Sequence, residues 1–197
     1  MERRRWTRAA EGLALAAILA LAAVLRFGWL GVNSFAFDEA RLSLISLRMA
    51  RGGDFASLGM PSSAGVPNMP GAAWVFAIPY ALSPDPLVAT LFVGVLSLLA
   101  VVGVWWLARR AWGSLPGIAA GLFLAASPYA VLYSRSVWAQ NLLPVLALAW
   151  MASAYLAIAE QKRWALALHV FLARFAVQVH FAGAALALGT AYFFARW

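Results

Sequence analysis

The sequence predicts an all-α, multi-pass membrane protein: a helical bundle of about six spans with an interfacial helix in a long first outer loop. Three observations predict it. Of 197 residues, 64% are hydrophobic and 11% charged, against about 25% charged in a soluble domain. A chain this apolar cannot cover itself with polar surface, so its solvent is lipid. Leu87–Leu107 runs 21 residues without a charge, enough to cross about 30 Å of hydrocarbon. Arginines and lysines collect at alternate segment boundaries, as cytoplasmic loops do.

Residues 1–11 form a cytoplasmic N-terminus with Arg3, Arg4, Arg5 and Arg8. Residues 12–31 form span 1, too long for a signal-peptide core and read as an uncleaved helix. Arg26 lies near its outer end and is read as snorkelling to the headgroups. Residues 32–86 form the first outer loop, opening on Asp38-Glu39. Within it, Leu42, Ile45 and Met49 recur at helical spacing, which predicts an interfacial helix with its apolar face in lipid. Gly52-Gly53 ends that helix. Residues 59–71 are rich in Gly, Pro and Ser, hence irregular. Ala72–Leu82 is apolar but only 11 residues, a re-entrant or interfacial helix. Further spans lie at 87–107, 115–132, 142–159, 164–178 and 181–195. Arg109, Arg110, Lys162, Arg163 and Arg196 then share the inner side with the N-terminal arginines. A full span at Ala72–Leu82 would move all five outside, so the charge bias argues against it.

Composition also excludes classes. There is no cysteine, so no disulfide framework exists. The net charge of +8 is explained by the inner loops, and no basic face interleaved with aromatics points to nucleic acid. Among the outer carboxylates, Asp38, Glu39, Asp54 and Asp85, no metal-ligand spacing occurs. No metal ligand is assigned, and a divalent cation is the only cofactor left open.

Three polar islands fall on the outer side: Asp38-Glu39, the stretch Tyr133-Ser134-Arg135 to Gln140-Asn141, and Gln178-Val179-His180. Polar groups at a bilayer are costly and read as functional. A carboxylate can take a proton from an acceptor hydroxyl. An arginine fork can hold a phosphate and stabilise it as it departs. Carboxamides and an imidazole can bond sugar hydroxyls. Gln178 and His180 are two residues apart and share a face only if the helix breaks between them. Arg174 is on the face of Gln178 and is read as facing the bundle interior. His169 is read as structural.

The residues Phe37-Asp38-Glu39-Ala40 after a first span, with Ser127-Pro128-Tyr129 to Tyr133-Ser134-Arg135 ending an outward span, carry a family likeness. The chain resembles the GT-C polyprenyl-phosphate-dependent glycosyltransferases, closest in type to protein O-mannosyltransferases and aminoarabinose transferases. Trp138-Ala139-Gln140-Asn141 and Gln178-Val179-His180-Phe181 are similar to later segments of many bacterial members. The family's His-Pro-Pro-like stretch is replaced by Asn68-Met69-Pro70-Gly71. Members are generally at least twice this length, so the chain is expected to correspond to the N-terminal half of one.

The resemblance implies inverting transfer of a sugar from a polyprenyl-phosphate carrier to a protein, lipid or glycan acceptor at the extracytoplasmic face of a bacterial plasma membrane. It implies Asp38 as base with Glu39 in support, and Arg135 near the carrier phosphate. Tyr133, Gln140, Asn141, Gln178 and His180 are the remaining candidate substrate contacts. The alternative is a non-catalytic protein that binds or translocates a polyprenyl-phosphate lipid, or a subunit of a split transferase.

Overall fold

A computed structural model describes residues 7–33, 35–62 and 65–196; Arg3, Arg4 and Arg5 lie outside them. Among the described residues every regular element is a helix. α1 covers Arg8–Phe27 and starts at Thr7, whose hydroxyl accepts from the Ala10 N–H at 3.2 Å. α4 covers Pro86–Trp112. Its start combines an Asp85 cap on the Leu87 N–H at 2.8 Å with a proline in the first turn, where the missing N–H costs nothing. A 3₁₀ turn at Ala139–Leu142 leads into α7, Leu143–Ile158. These three, α1, α4 and Ala139–Ile158, are long and apolar enough to cross a membrane. α8 covers Arg163–Val179, and α9 covers Ala184–Arg196 after a 3₁₀ turn at Phe181–Gly183.

The segment expected to run unbroken from 115 to 132 is two helices. α5 covers Ser114–Ala126 and α6 covers Pro128–Tyr133. Pro128 cannot donate to the Leu124 carbonyl, and its ring clashes with the preceding turn, so the helix breaks at Ser127.

Ion pairs gather one end of the bundle. Glu11 pairs with Arg109 and accepts from the Ser114 hydroxyl at 3.2 Å. Arg110 donates through Nε to Glu160 at 2.8 Å. The starts of α1 and α5 and the ends of α4 and α7 therefore meet at the end that the charge bias assigns to the cytoplasm. Above it, Ile18, Ala22, Val101 and Ala125 form a small core among α1, α4 and α5.

A larger core lies at the other end. Its members include Leu42, Phe76, Tyr80, Val93, Val137, Leu142 and Val179. α2, Phe37–Leu47, continues through a π-helical turn at Arg48–Gly52 and stops at Gly53, whose φ of +77° suits glycine. α3, Gly71–Leu82, packs on α2, α4 and α8. The Leu42, Ile45 and Met49 stripe of α2 was expected to face lipid; it turns onto this core instead, because α3 offers apolar surface directly beneath it. Gly71 lets the start of α3 close on α8: a Cβ there would lie 2.7 Å from the Gln178 carbonyl.

Arg26 does not snorkel. It is 3% exposed and donates to the Leu124 carbonyl at 3.1 Å, the Ala125 carbonyl at 2.9 Å and the Ser97 hydroxyl at 2.8 Å. Leu124 O is the carbonyl that Pro128 leaves without a helical donor, and an unsatisfied carbonyl in an apolar setting costs several kcal/mol. Arg51 repeats the device. It donates to the Tyr80 carbonyl at 2.8 Å, four residues before Pro84. Arg174 also departs from expectation. It is exposed, because α8 buries the opposite stripe of Ala165, His169, Leu172, Ala176 and Val179. His169 is the polar centre of that stripe: Nδ1 donates to the Trp150 carbonyl at 3.1 Å, and Nε2 meets the Thr190 hydroxyl at 3.1 Å. This joins α7, α8 and α9.

Candidate functional site

The outer core positions the three polar islands. Val137 and Ala139 bury the approach to Gln140, Val179 buries the approach to His180, and Leu42 buries the turn after Asp38. Gln140 and His180 are thereby held at the rim of one apolar cluster.

Asp38 and Glu39 occupy the first turn of α2, where carboxylates suit the positive end of the helix dipole. Their settings differ. Glu39 is buried and accepts from the Ala36 N–H at 3.1 Å, one half of a capping box. Asp38 is exposed and makes no hydrogen bond or ion pair with a described residue. One turn further on, Leu42 lines a small pocket that also holds Gln140, His180, Trp138 and Asn68. His180 is the extended residue ending α8, and its Nδ1 accepts from the Ala182 N–H at 3.1 Å. The ring is thereby fixed as the tautomer with its proton on Nε2, and burial pushes its pKa below the ordinary histidine value. The pocket measures about 50 Å³, room for ordered water or a small polar group, since about 10–15 Å³ of such space holds one water.

Tyr133 and Asn141 belong to a different place. They line a cavity of about 300 Å³ with Ser97, Leu124, Ser127 and Tyr129, between α4, the α5–α6 break and α7. Tyr129 and Tyr133 stack at 6.2 Å. The Asn141 carboxamide is committed to the loop, donating to the Ser136 carbonyl at 3.0 Å and hydroxyl at 2.9 Å. Gln178 stands apart from both. It lines a groove with Arg174, Phe171 and Ala187, so the helix does not break early enough to turn it toward His180.

Arg135 is spent largely on the backbone. Its nitrogens donate to the Leu25 carbonyl at 3.0 Å, the Trp29 carbonyl at 2.6 Å and Asn33 Oδ1 at 3.2 Å. Trp29 adopts a left-handed φ of 53°, which turns its carbonyl out of the helix line. Among the described residues these bonds use three of five guanidinium N–H groups. Arg135 thus closes the negative end of α1 and keeps two donors uncommitted.

Sequence reasoning missed Trp138 as a pocket wall and Tyr129, Ser127 and Ser97 as cavity walls. The four-residue spacing of Tyr129 and Tyr133 was the available signal. Among the described residues, no three His, Asp or Glu side chains come together to hold a metal ion.

The sequence model of the dolichyl-phosphate-mannose-protein mannosyltransferase family matches residues 66–197, two thirds of the chain. The chain belongs to this family. It is therefore a multi-pass membrane protein of a glycosyltransferase family. No curated protein and no solved structure matches it. The family match begins after α2, so Asp38 and Glu39 precede it. The packing of α2 on α3 is what brings the helix that carries the acid pair against the matched region.

Proposed function

We propose that the chain transfers a sugar from a polyprenyl-phosphate carrier to an acceptor hydroxyl at the outer face, with Asp38 as general base. The observation that carries this reading is the contrast within the acid pair. Glu39 is tied to the helix start, while Asp38 is exposed, with no partner among the described residues, one turn before the pocket of Gln140 and His180. The acceptor oxygen attacks the anomeric carbon and its proton passes to the Asp38 carboxylate. The bond from that carbon to the phosphate oxygen breaks with inversion, and the lipid phosphate leaves.

The other residues take roles that their settings permit. A stretch of the isoprenoid lies along the apolar cavity past Tyr129 and Tyr133. The two uncommitted N–H groups of Arg135 face the carrier phosphate. Gln140 and the Nε2–H of His180 bond a single hydroxyl or an ordered water, as the pocket volume allows. Membership of a mannosyltransferase family supports a mannose-like sugar and a protein acceptor.

Asp38→Asn tests the reading. Transfer of labelled sugar from a polyprenyl-phosphate donor in membranes should fall by about 100-fold or more, with membrane insertion unchanged. Turnover within a few-fold of the parent protein removes Asp38 as base. If Arg135→Gln alone abolishes carrier binding while Asp38→Asn is silent, lipid binding without catalysis is the better account.

A further inference from the structure

At the inner end, both described acids are taken. Glu11 holds Arg109, and Glu160 holds Arg110. Lys162 and Arg163 come next in the chain. Both are exposed and neither is in an ion pair with a described residue. Arg163 lines a cavity of about 410 Å³ whose other walls are Gln161, Ala157, Leu166 and Phe194. The wall residues come from α7, the turn after it, α8 and α9. The cavity therefore combines a cation and a carboxamide with aliphatic and aromatic walls. Gln161 Nε2 donates one N–H to the Ile158 carbonyl at 2.6 Å, and Arg163 gives the lining a net positive charge.

We propose that this cavity binds one anionic phospholipid of the inner leaflet. The headgroup phosphate lies on the Arg163 guanidinium, with Lys162 beside it. An acyl chain runs along Leu166, Ala157 and Phe194. The planar fork of arginine bonds phosphate through two parallel N–H groups. Cations close to an anionic leaflet draw its lipids with an affinity that rises with each charge. A volume of this size lies within the usual range of ligand pockets. A zwitterionic lipid would bring no net charge to the two cations, and a free phosphate would leave the apolar walls unfilled. The site shares no residue with the outer-face reading above and stands or falls without it.

The test uses the full-length protein in neutral detergent with phosphatidylglycerol carrying a photoreactive group on one acyl chain. Label should map to the peptides containing Leu166 and Phe194. Unlabelled phosphatidylglycerol should compete, while phosphatidylcholine and inorganic phosphate should not. The pair Lys162→Gln and Arg163→Gln should reduce labelling by about thirtyfold. Arg163→Lys, which keeps the charge and loses the fork, should reduce labelling but by less than the double variant does, and Arg8→Gln should stay within twofold. Equal competition by phosphatidylcholine, or undiminished labelling in the double variant, overturns the proposal. Competition by inorganic phosphate overturns it too, and assigns a free-anion site.

Discussion

His180 receives the Ala182 N–H on Nδ1, and that bond survives only while the ring is neutral. Burial acts in the same direction, lowering its pKa from the ordinary 6.5. The unfolded chain binds the proton more readily than the folded one, so stability from this group is complete above pH 6.5 and is lost as pH falls below it. Imidazole NMR should show a titration midpoint under 6.5, with the neutral ring protonated at Nε2. A midpoint at or above 6.5 contradicts this half-buried, bonded setting. At this scale the sequence located the polar residues of the outer end and was a poor guide to what they touch. Gln140 and His180 do meet in one pocket. Tyr133 and Asn141 line another, and Gln178 a third, because a shift of two positions on a helix moves a side chain to a different face.

Helices here end on arginines from elsewhere in the chain. Arg26 closes α5, Arg51 closes α3 and Arg135 closes α1. Two of the three serve a carbonyl lying four residues before a proline. A double-mutant cycle isolates this coupling. Arg26→Met should cost about 3 kcal/mol in detergent unfolding, since it strands two buried carbonyls. In a Pro128→Ala background the restored N–H can serve Leu124, and the same change should cost at least about 1 kcal/mol less. Equal costs in both backgrounds would show that Arg26 acts independently of the break. Apolar runs and turn residues made the helices themselves legible. The caps were not, because Arg26 and Leu124 are 98 residues apart and no local pattern joins them. The readable clue was paired: a proline inside an apolar run, and an arginine near the end of another.

The whole molecule divides into an ion-paired end and an end built around the outer core. The chain contains no cysteine, so single cysteines report sidedness without background. Asp54→Cys and Gln161→Cys place thiols at exposed positions of the opposite ends. A membrane-impermeant maleimide added outside intact cells should label the first and spare the second until the membrane is opened. The reverse pattern inverts the topology and moves Asp38 to the cytoplasm. Parity of the cationic loops was legible from composition, since Arg109, Arg110, Lys162 and Arg163 recur at alternate boundaries. The packing of α2 onto α3 was not, because amphipathic spacing fixes which face is apolar and leaves open whether lipid or protein covers it.

The buried Arg26 sets a timetable for biosynthesis. Its carbonyl partners leave the ribosome 98 and 99 residues after it. At about 5–20 residues per second, that is about 5–20 s during which the first segment is inserted without the two α5 carbonyls its guanidinium serves. Arg135 has the opposite schedule, for Leu25 emerges 110 residues before it. The first helix therefore stays provisional until α5 arrives, and Arg135 latches it soon afterwards. An interruption of translation before α5 arrives leaves a nascent chain whose intramembrane arginine lacks its α5 partners, an obvious mark for membrane quality control.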